Sequence, residues 1–288
     1  MPVPSQLYRP SLALLTDFYE LTMAYAAWRE GIVGREASFV LSFRKNPFQG
    51  GFTVAAGLAS AMDLVEHWRF AEDDLAFLAE QRDPAGDPLF ERGFLDELRR
   101  LEVAVDVDAA PEGTVVFPHE PLVRITGPIL PCMLLETAVL TVVNFQTLIA
   151  TKAARVCLAA RGEPVIEFGL RRAQGIDGGL SATRAAYVGG CHGTSNALAA
   201  KLWGIPARGT LAHSWVMLHE SELEAFMAYA RALPGAAVFL VDTYGTRGGV
   251  QHAIEVGRWL RSQGRELAGI RLDSGDLAWL SQEARRML

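Results

Sequence analysis

Pro164-Val-Ile-Glu-Phe-Gly-Leu-Arg-Arg172 is the stretch on which the fold turns: a short, mostly apolar run between Pro and Gly, followed after Leu170 by two arginines. Short apolar runs between turn residues read as buried strands, and α/β folds place their chemistry on side chains just past strand ends. The pattern recurs downstream. Further strand candidates lie at 187–190, 207–212, 237–241 and 268–272, with helical patterns at 196–203, 221–232 and 249–262. Strands alternating with helices at intervals of roughly 20 to 35 residues point to βα units around a parallel sheet. A closed barrel of such units needs about eight strands and about five can be found, after which residues 277–288 read as a helix. The expected fold class is therefore α/β, with an irregular (β/α) barrel that is incomplete at its C-terminus.

Upstream of that stretch the rhythm differs. Residues 131–161 read as one long helix, apolar but interrupted by Glu136, Asn144, Gln146 and Lys152. Those polar groups would be costly at the centre of a bilayer, so a buried helix is expected and no membrane partner. Residues 37–43, Ala-Ser-Phe-Val-Leu-Ser-Phe, carry the β-branched and aromatic residues of a strand, and 11–29 and 56–70 repeat apolar positions at helical spacing. Strand-like pieces at 103–107, 114–117 and 122–125 are separated by Pro-Glu-Gly and Pro-His-Glu-Pro turns, which suggests a small antiparallel β-module. The expected organisation is an N-terminal α+β domain over 1–130 and the partial barrel over 131–288.

With 288 residues, half of them hydrophobic (50%), the chain can bury a sizeable core. A net charge of -6 gives no basic field for a nucleic-acid backbone, so any phosphate is gripped locally. The N-terminal Met-Pro-Val-Pro-Ser-Gln-Leu-Tyr-Arg-Pro has neither a basic nor an apolar export region, so a cytoplasmic location is expected. Cys132, Cys157 and Cys191 lack the spacing of a disulfide framework or a zinc site and are expected as reduced, mostly buried thiols.

Several residues invite a chemical reading beside a structural one. Tyr19 and Phe168 could hold a flat ring by offset stacking, although core packing is the commoner use of an aromatic. Arg171 and Arg172 present guanidinium forks suited to a carboxylate or phosphate, or simply face solvent. Ser195, in Gly193-Thr-Ser-Asn196, stands where a helix begins and could cap it or favour an anion there. His213 follows the 207–212 candidate, where its imidazole could face a barrel mouth as a nucleophile near neutral pH. Asp242, Asp273, Ser274 and Asp276 follow the last two strand candidates. They could accept hydrogen bonds from sugar hydroxyls, hold Mg2+ through water, or cap the next helix. Arg44 and Lys45 alone read as a solvated charged face.

Five segments together resemble the nicotinate phosphoribosyltransferases along essentially the whole chain. They are Leu15-Thr-Asp-Phe-Tyr-Glu-Leu-Thr-Met-Ala-Tyr25, Phe43-Arg-Lys-Asn-Pro-Phe48, Glu167-Phe-Gly-Leu-Arg-Arg-Ala-Gln174, Gly193-Thr-Ser-Asn196 with Gly209-Thr-Leu-Ala-His-Ser214, and Arg271-Leu-Asp-Ser-Gly-Asp276. The resemblance implies a glycosyltransferase of NAD salvage that joins nicotinate to phosphoribosyl pyrophosphate, with Mg2+ and ligase-like coupling to ATP hydrolysis. It further implies a homodimer with shared active sites. Phe168, and Tyr19 from the neighbouring subunit, would sandwich the pyridine ring; Arg171 would contact the substrate; Arg271 would line the site; Asp273 would bind the ribose. Arg44 and Lys45 would reach across the dimer toward the diphosphate, and His213 would carry a transient phosphoryl group. Related nicotinamide-specific enzymes have an aspartate where Ser195 stands, which favours the acid over the amide as substrate. The histidine segment argues against quinolinate. His192 departs from the acidic residue of the family pattern, and no glycine-rich loop for the 5-phosphate follows Asp276. The competing expectation is an inactive truncated fragment or regulatory homologue that lacks the 5-phosphate site.

Overall fold

The computed structural model describes residues 11–288, and the segment whose composition argues against export lies outside them. Two compact units result, Met1–Arg208 and Gly209–Leu288. The boundary expected after residue 130 falls inside the first unit, because the long helix that follows it packs along the elements that precede it.

In the first unit the chain runs through α1 (Phe18–Arg29), β1 (Glu36–Leu41), β2 (Thr53–Val54), α2 (Leu58–His67), α3 (Glu72–Ala79) and α4 (Arg92–Arg100). It continues through β3 (Asp106–Ala109), β4 (Val115–Val116), β5 (Val123–Pro128), α5 (Ile129–Ala159), β6 (Ile166–Glu167), α6 (Gly175–Val188), β7 (Gly193–Thr194) and α7 (Ala197–Trp203). The antiparallel module is present: β5 pairs with β1, Leu41 opposite Val123, and with β3, Ala109 opposite Val123, while β2 and β4 form a separate ribbon. Alternating burial along β5 turns Val123 and Ile125 inward and Arg124 out to Asp108, 2.7 Å away. Tyr25 meets Phe90 and Phe94 edge-on, at 5.6 Å and 5.3 Å, which fixes α1 against α4.

By length and composition α5 could cross a membrane, but it is a core helix. It buries Leu130, Leu134, Leu135, Ala138 and Val143 among others and packs against α1, α2, α6 and three strands. Gln146, Thr147 and Thr151, polar and buried, are all hydrogen-bonded: Thr151 accepts from the Val54 amide (2.9 Å) and Thr147 from that of Ala56 (3.2 Å).

Two strand expectations fail. Residues 187 and 188 end α6, and a turn through Gly189 and Gly190 follows. Small residues let α6 lie so close to α5 that a Cβ at Gly189 would overlap the Ala150 carbonyl oxygen. The 207–212 stretch contributes a single parallel bridge, Thr194 with Ala207. The remaining βα pattern is parallel as expected: Ile166 lies opposite Gly193, and in the second unit β8 (Val238–Leu240) pairs with β9 (Gly269–Arg271). The second unit is completed by α8 (His213–Met217), α9 (Glu222–Ala232), α10 (Thr246–Ser262) and α11 (Leu277–Met287). Its core stacks Phe226 on Phe239 at 4.6 Å and 8°. The architecture is mixed α/β, and no closed barrel occurs among the described residues.

Candidate active site

In the first unit, the ends of β6 and β7 bring the 168–172 loop and Ser195 together. The Ser195 amide donates to the Glu167 carbonyl (3.0 Å), the ladder bond that sets the two strand ends side by side. The loop then turns through a short 3-10 segment, Leu170–Arg172, closed by the Arg172 amide on the Gly169 carbonyl (2.8 Å). Phe168 is half-buried there, and Arg171 and Arg172 are exposed with no carboxylate partner among the described residues. Two unpaired guanidinium groups beside a partly covered ring form a surface that favours a flat anion.

Ser195 is not the cap of α7. Asn196 is: its Oδ1 accepts from the Ala199 amide at 3.2 Å, leaving the Ser195 hydroxyl exposed and uncommitted. With only seven residues, α7 is too short for its dipole to carry an anion site, so any role of Ser195 rests on its hydroxyl. His192 is structural in part, its amide bonding the Val165 carbonyl (2.7 Å) and its Nδ1 accepting from the Val165 amide (3.2 Å). That return bond places the ring proton on Nε2.

The second unit gathers the carboxylates at the ends of β8 and β9. Asp242 Oδ2 accepts from the Ser274 hydroxyl (2.6 Å) and the Asp273 amide (3.2 Å), so the first turn after one strand is built on the carboxylate after the other. Arg271 reaches Thr210 Oγ1 through Nη1 at 2.8 Å. Asp273 Oδ2 stands 3.8 Å from both His213 Nε2 and Arg271 Nη2. His213 does not follow a strand; it is the first residue of α8, and its Nδ1 is held by Thr243 Oγ1 at 3.1 Å. Asp276 caps α11, accepting from the Trp279 amide at 3.0 Å. Among the described residues of this unit three buried side-chain atoms have no partner, Asp242 Oδ1 and Arg271 Nε at these strand ends and Glu222 Oε1 on α9. Buried polar atoms are seldom left so.

Comparison with known proteins gives the family. Residues 14–144 match the nicotinate phosphoribosyltransferase N-terminal domain and residues 164–285 the nicotinate phosphoribosyltransferase family. The chain belongs to the nicotinate phosphoribosyltransferase family. A nicotinate phosphoribosyltransferase of Mycobacterium tuberculosis is 46% identical over 276 residues, 96% of this chain and 58% of that protein. One from Bacillus subtilis is 43% identical, over 96% of this chain and 55% of its own length. The crystal structure of human nicotinic acid phosphoribosyltransferase superimposes with a TM-score of 0.85 at 38% identity, covering 94% of this chain and 63% of that one. The chain thus spans less than two thirds of each of these nicotinate phosphoribosyltransferases.

Of the residues expected from the family pattern, Tyr19 (53% exposed), Arg44 and Lys45 lie on the surface of the first unit. Partial desolvation, then the charges of Asp17, Glu20 and Glu136, push the Tyr19 phenol above its ordinary value, so it stays neutral. Among the described residues no group of three or more His, Cys, Asp or Glu could hold a metal. The oxygen donors at these strand ends are the Asp273 carboxylate and Asp242 Oδ1, which is buried without a partner; Mg2+ takes oxygen ligands of this kind together with waters and substrate phosphates. The residues that sequence reasoning missed are hydroxyls and one carboxylate: Thr210 and Thr243 behind Arg271 and His213, and Glu167 beneath the loop. Glu167 stood in a family segment, next to the aromatic that drew the eye.

Proposed function

We propose that this protein transfers the phosphoribosyl group of phosphoribosyl pyrophosphate to nicotinate, with ATP hydrolysis coupled to the transfer, as a step of NAD salvage in the cytoplasm. The observation that carries the reading is the pairing of an unpartnered Arg171 guanidinium with an uncharged Ser195 hydroxyl at adjacent parallel strand ends. A guanidinium attracts the nicotinate carboxylate, and a hydroxyl does not repel it as an aspartate would.

In the reaction the pyridine nitrogen forms a bond to the anomeric carbon as the carbon–oxygen bond to pyrophosphate breaks, its electron pair leaving with the diphosphate. The ribose carries developing positive charge, which calls for positioning and electrostatics more than for acid–base work. Phe168 and Arg171 hold the ring and its carboxylate. Asp273, oriented through its amide by Asp242, accepts from the ribose hydroxyls, and Arg271 lines the site. Asp242 and Asp273 would hold Mg2+, which would supply charge neutralisation for the leaving diphosphate. His213, seated on Thr243, takes a phosphoryl group from ATP, a nitrogen–phosphorus bond forming as ADP leaves.

We further propose a homodimer in which Tyr19 closes the partner's pyridine site and Arg44 and Lys45 face the partner's diphosphate. The exposed apolar residues Phe18, Tyr19 and Met23 of α1, with Leu15 just before it, support such a contact. The parallel pairs β6–β7 and β8–β9 are read as parts of a (β/α) barrel. The test is formation of nicotinate mononucleotide from nicotinate, phosphoribosyl pyrophosphate and Mg2+, with and without ATP. Product that rises with ATP supports the proposal; none from folded protein overturns it in favour of a non-catalytic homologue.

A further inference from the structure

We propose that Glu167 is a positioning residue that sets affinity for the pyridine substrate, an inference that rests on the function proposed above. Its carboxylate is turned beneath the strand ends and gathers donors from separate segments: Thr194 Oγ1 of β7 at 2.8 Å, Thr183 Oγ1 of α6 at 3.1 Å, and the Gly169 amide of the loop. Its backbone carbonyl holds the Ser195 amide at 3.0 Å. One residue therefore fixes both the loop that bears Phe168 and Arg171 and the strand end that bears Ser195.

Two features go beyond ordinary strand-end packing. Among the described residues no cation pairs with this carboxylate, so its hydrogen bonds come from hydroxyls and an amide, and the Arg171 guanidinium is left free for a ligand. Gly169 also leaves space for this carboxylate. Its φ is -87°, open to any residue, yet a Cβ there would come within 2.9 Å of Glu167 Oε1. Glycine at 169 lets the carboxylate reach the amide that starts the 3-10 turn, and that turn aims Arg171.

Steady-state kinetics on the whole chain separate positioning from general stability. Glu167→Gln and Gly169→Ala should each raise the KM for nicotinate about tenfold, the effect of losing one charge-assisted hydrogen bond, with the KM for phosphoribosyl pyrophosphate changed less than about twofold. Thr194→Val should share the defect and Thr194→Ser, which keeps the hydroxyl, should rescue it. Equal rises in both KM values, or an unchanged nicotinate KM, would overturn the proposal. Amide hydrogen exchange is the readout independent of activity. The Gly169 amide should be protected in the parent protein and exchange at least about tenfold faster in Glu167→Gln. If the parent makes no product but this release is seen, the enzymatic reading fails while the anchoring role stands; an unprotected Gly169 amide in the parent would sink the anchoring role itself.

Discussion

Replacing Glu112 by glutamine tests whether the first unit is held by a buried ion pair. Glu112, between β3 and β4, meets Arg184 of α6 through both guanidinium nitrogens, Nη1–Oε1 at 2.7 Å and Nη2–Oε2 at 2.5 Å. It also accepts from the Gly57 amide at 2.6 Å. The two side chains are only 14% and 18% exposed, and Arg184 has one further partner, Gln146 Oε1 at 3.2 Å. Breaking a buried pair by removing one charge costs about 3–5 kcal/mol. Glutamine keeps an acceptor, and some solvent reaches the pair, so we expect about 2–3 kcal/mol, a fall of about 4–12 °C in Tm for a unit of this size. The sign of the pH dependence is fixed. Burial opposes ionisation of Glu112, but the Arg184 bonds and charge and the Gly57 and Ala59 amides outweigh it and hold the carboxyl below its ordinary value of 4.5. A depressed folded value gives stability that is full above the unfolded value and lost as pH falls through the folded one. Urea unfolding followed by circular dichroism should show the full gap between parent and variant at neutral pH and a shrinking gap below 4.5. A gap under about 0.5 kcal/mol at neutral pH, or one undiminished in acid, would refute the assignment.

Three further outcomes follow from single contacts. Ser195→Asp sets a carboxylate against the nicotinate carboxylate and should lower kcat/KM for nicotinate at least about tenfold; unchanged kinetics would remove Ser195 from the site. His213→Ala should abolish stimulation by ATP while leaving Tm within about 2 °C, since the imidazole is part-exposed and makes one hydrogen bond. Gly249→Ala would drive a Cβ into the Val241 carbonyl, in backbone that cannot yield as a side chain can, and should destabilise the second unit by about 2 kcal/mol or more. A melt unchanged from the parent would show that α10 does not press on the end of β8 so closely.

The elements legible in the sequence are those whose pattern is local. β1, β6, β8 and β9 are apolar runs between turn residues, and α5 is an apolar helix whose few polar groups, Gln146 above all, forecast burial with partners rather than lipid. α6 was illegible at its end because Tyr187 and Val188, good strand formers in isolation, are held helical by the close seating of small residues on α5, which is a tertiary fact. His213 was legible as a residue and not as a position: its imidazole begins a helix and leans on Thr243, a residue distant in sequence. Asp242 and Asp273 were legible as strand-end acids of one site, and only the pairing of β8 with β9 shows that one supports the other. Family segments carry the identity of residues that touch a ligand, whereas the hydroxyls and carboxylates behind them are chosen by where the chain returns. In this chain that division runs through adjacent residues, Phe168 visible as a ring that could meet a substrate and Glu167 visible only once Thr183 and Thr194 are seen to converge on it.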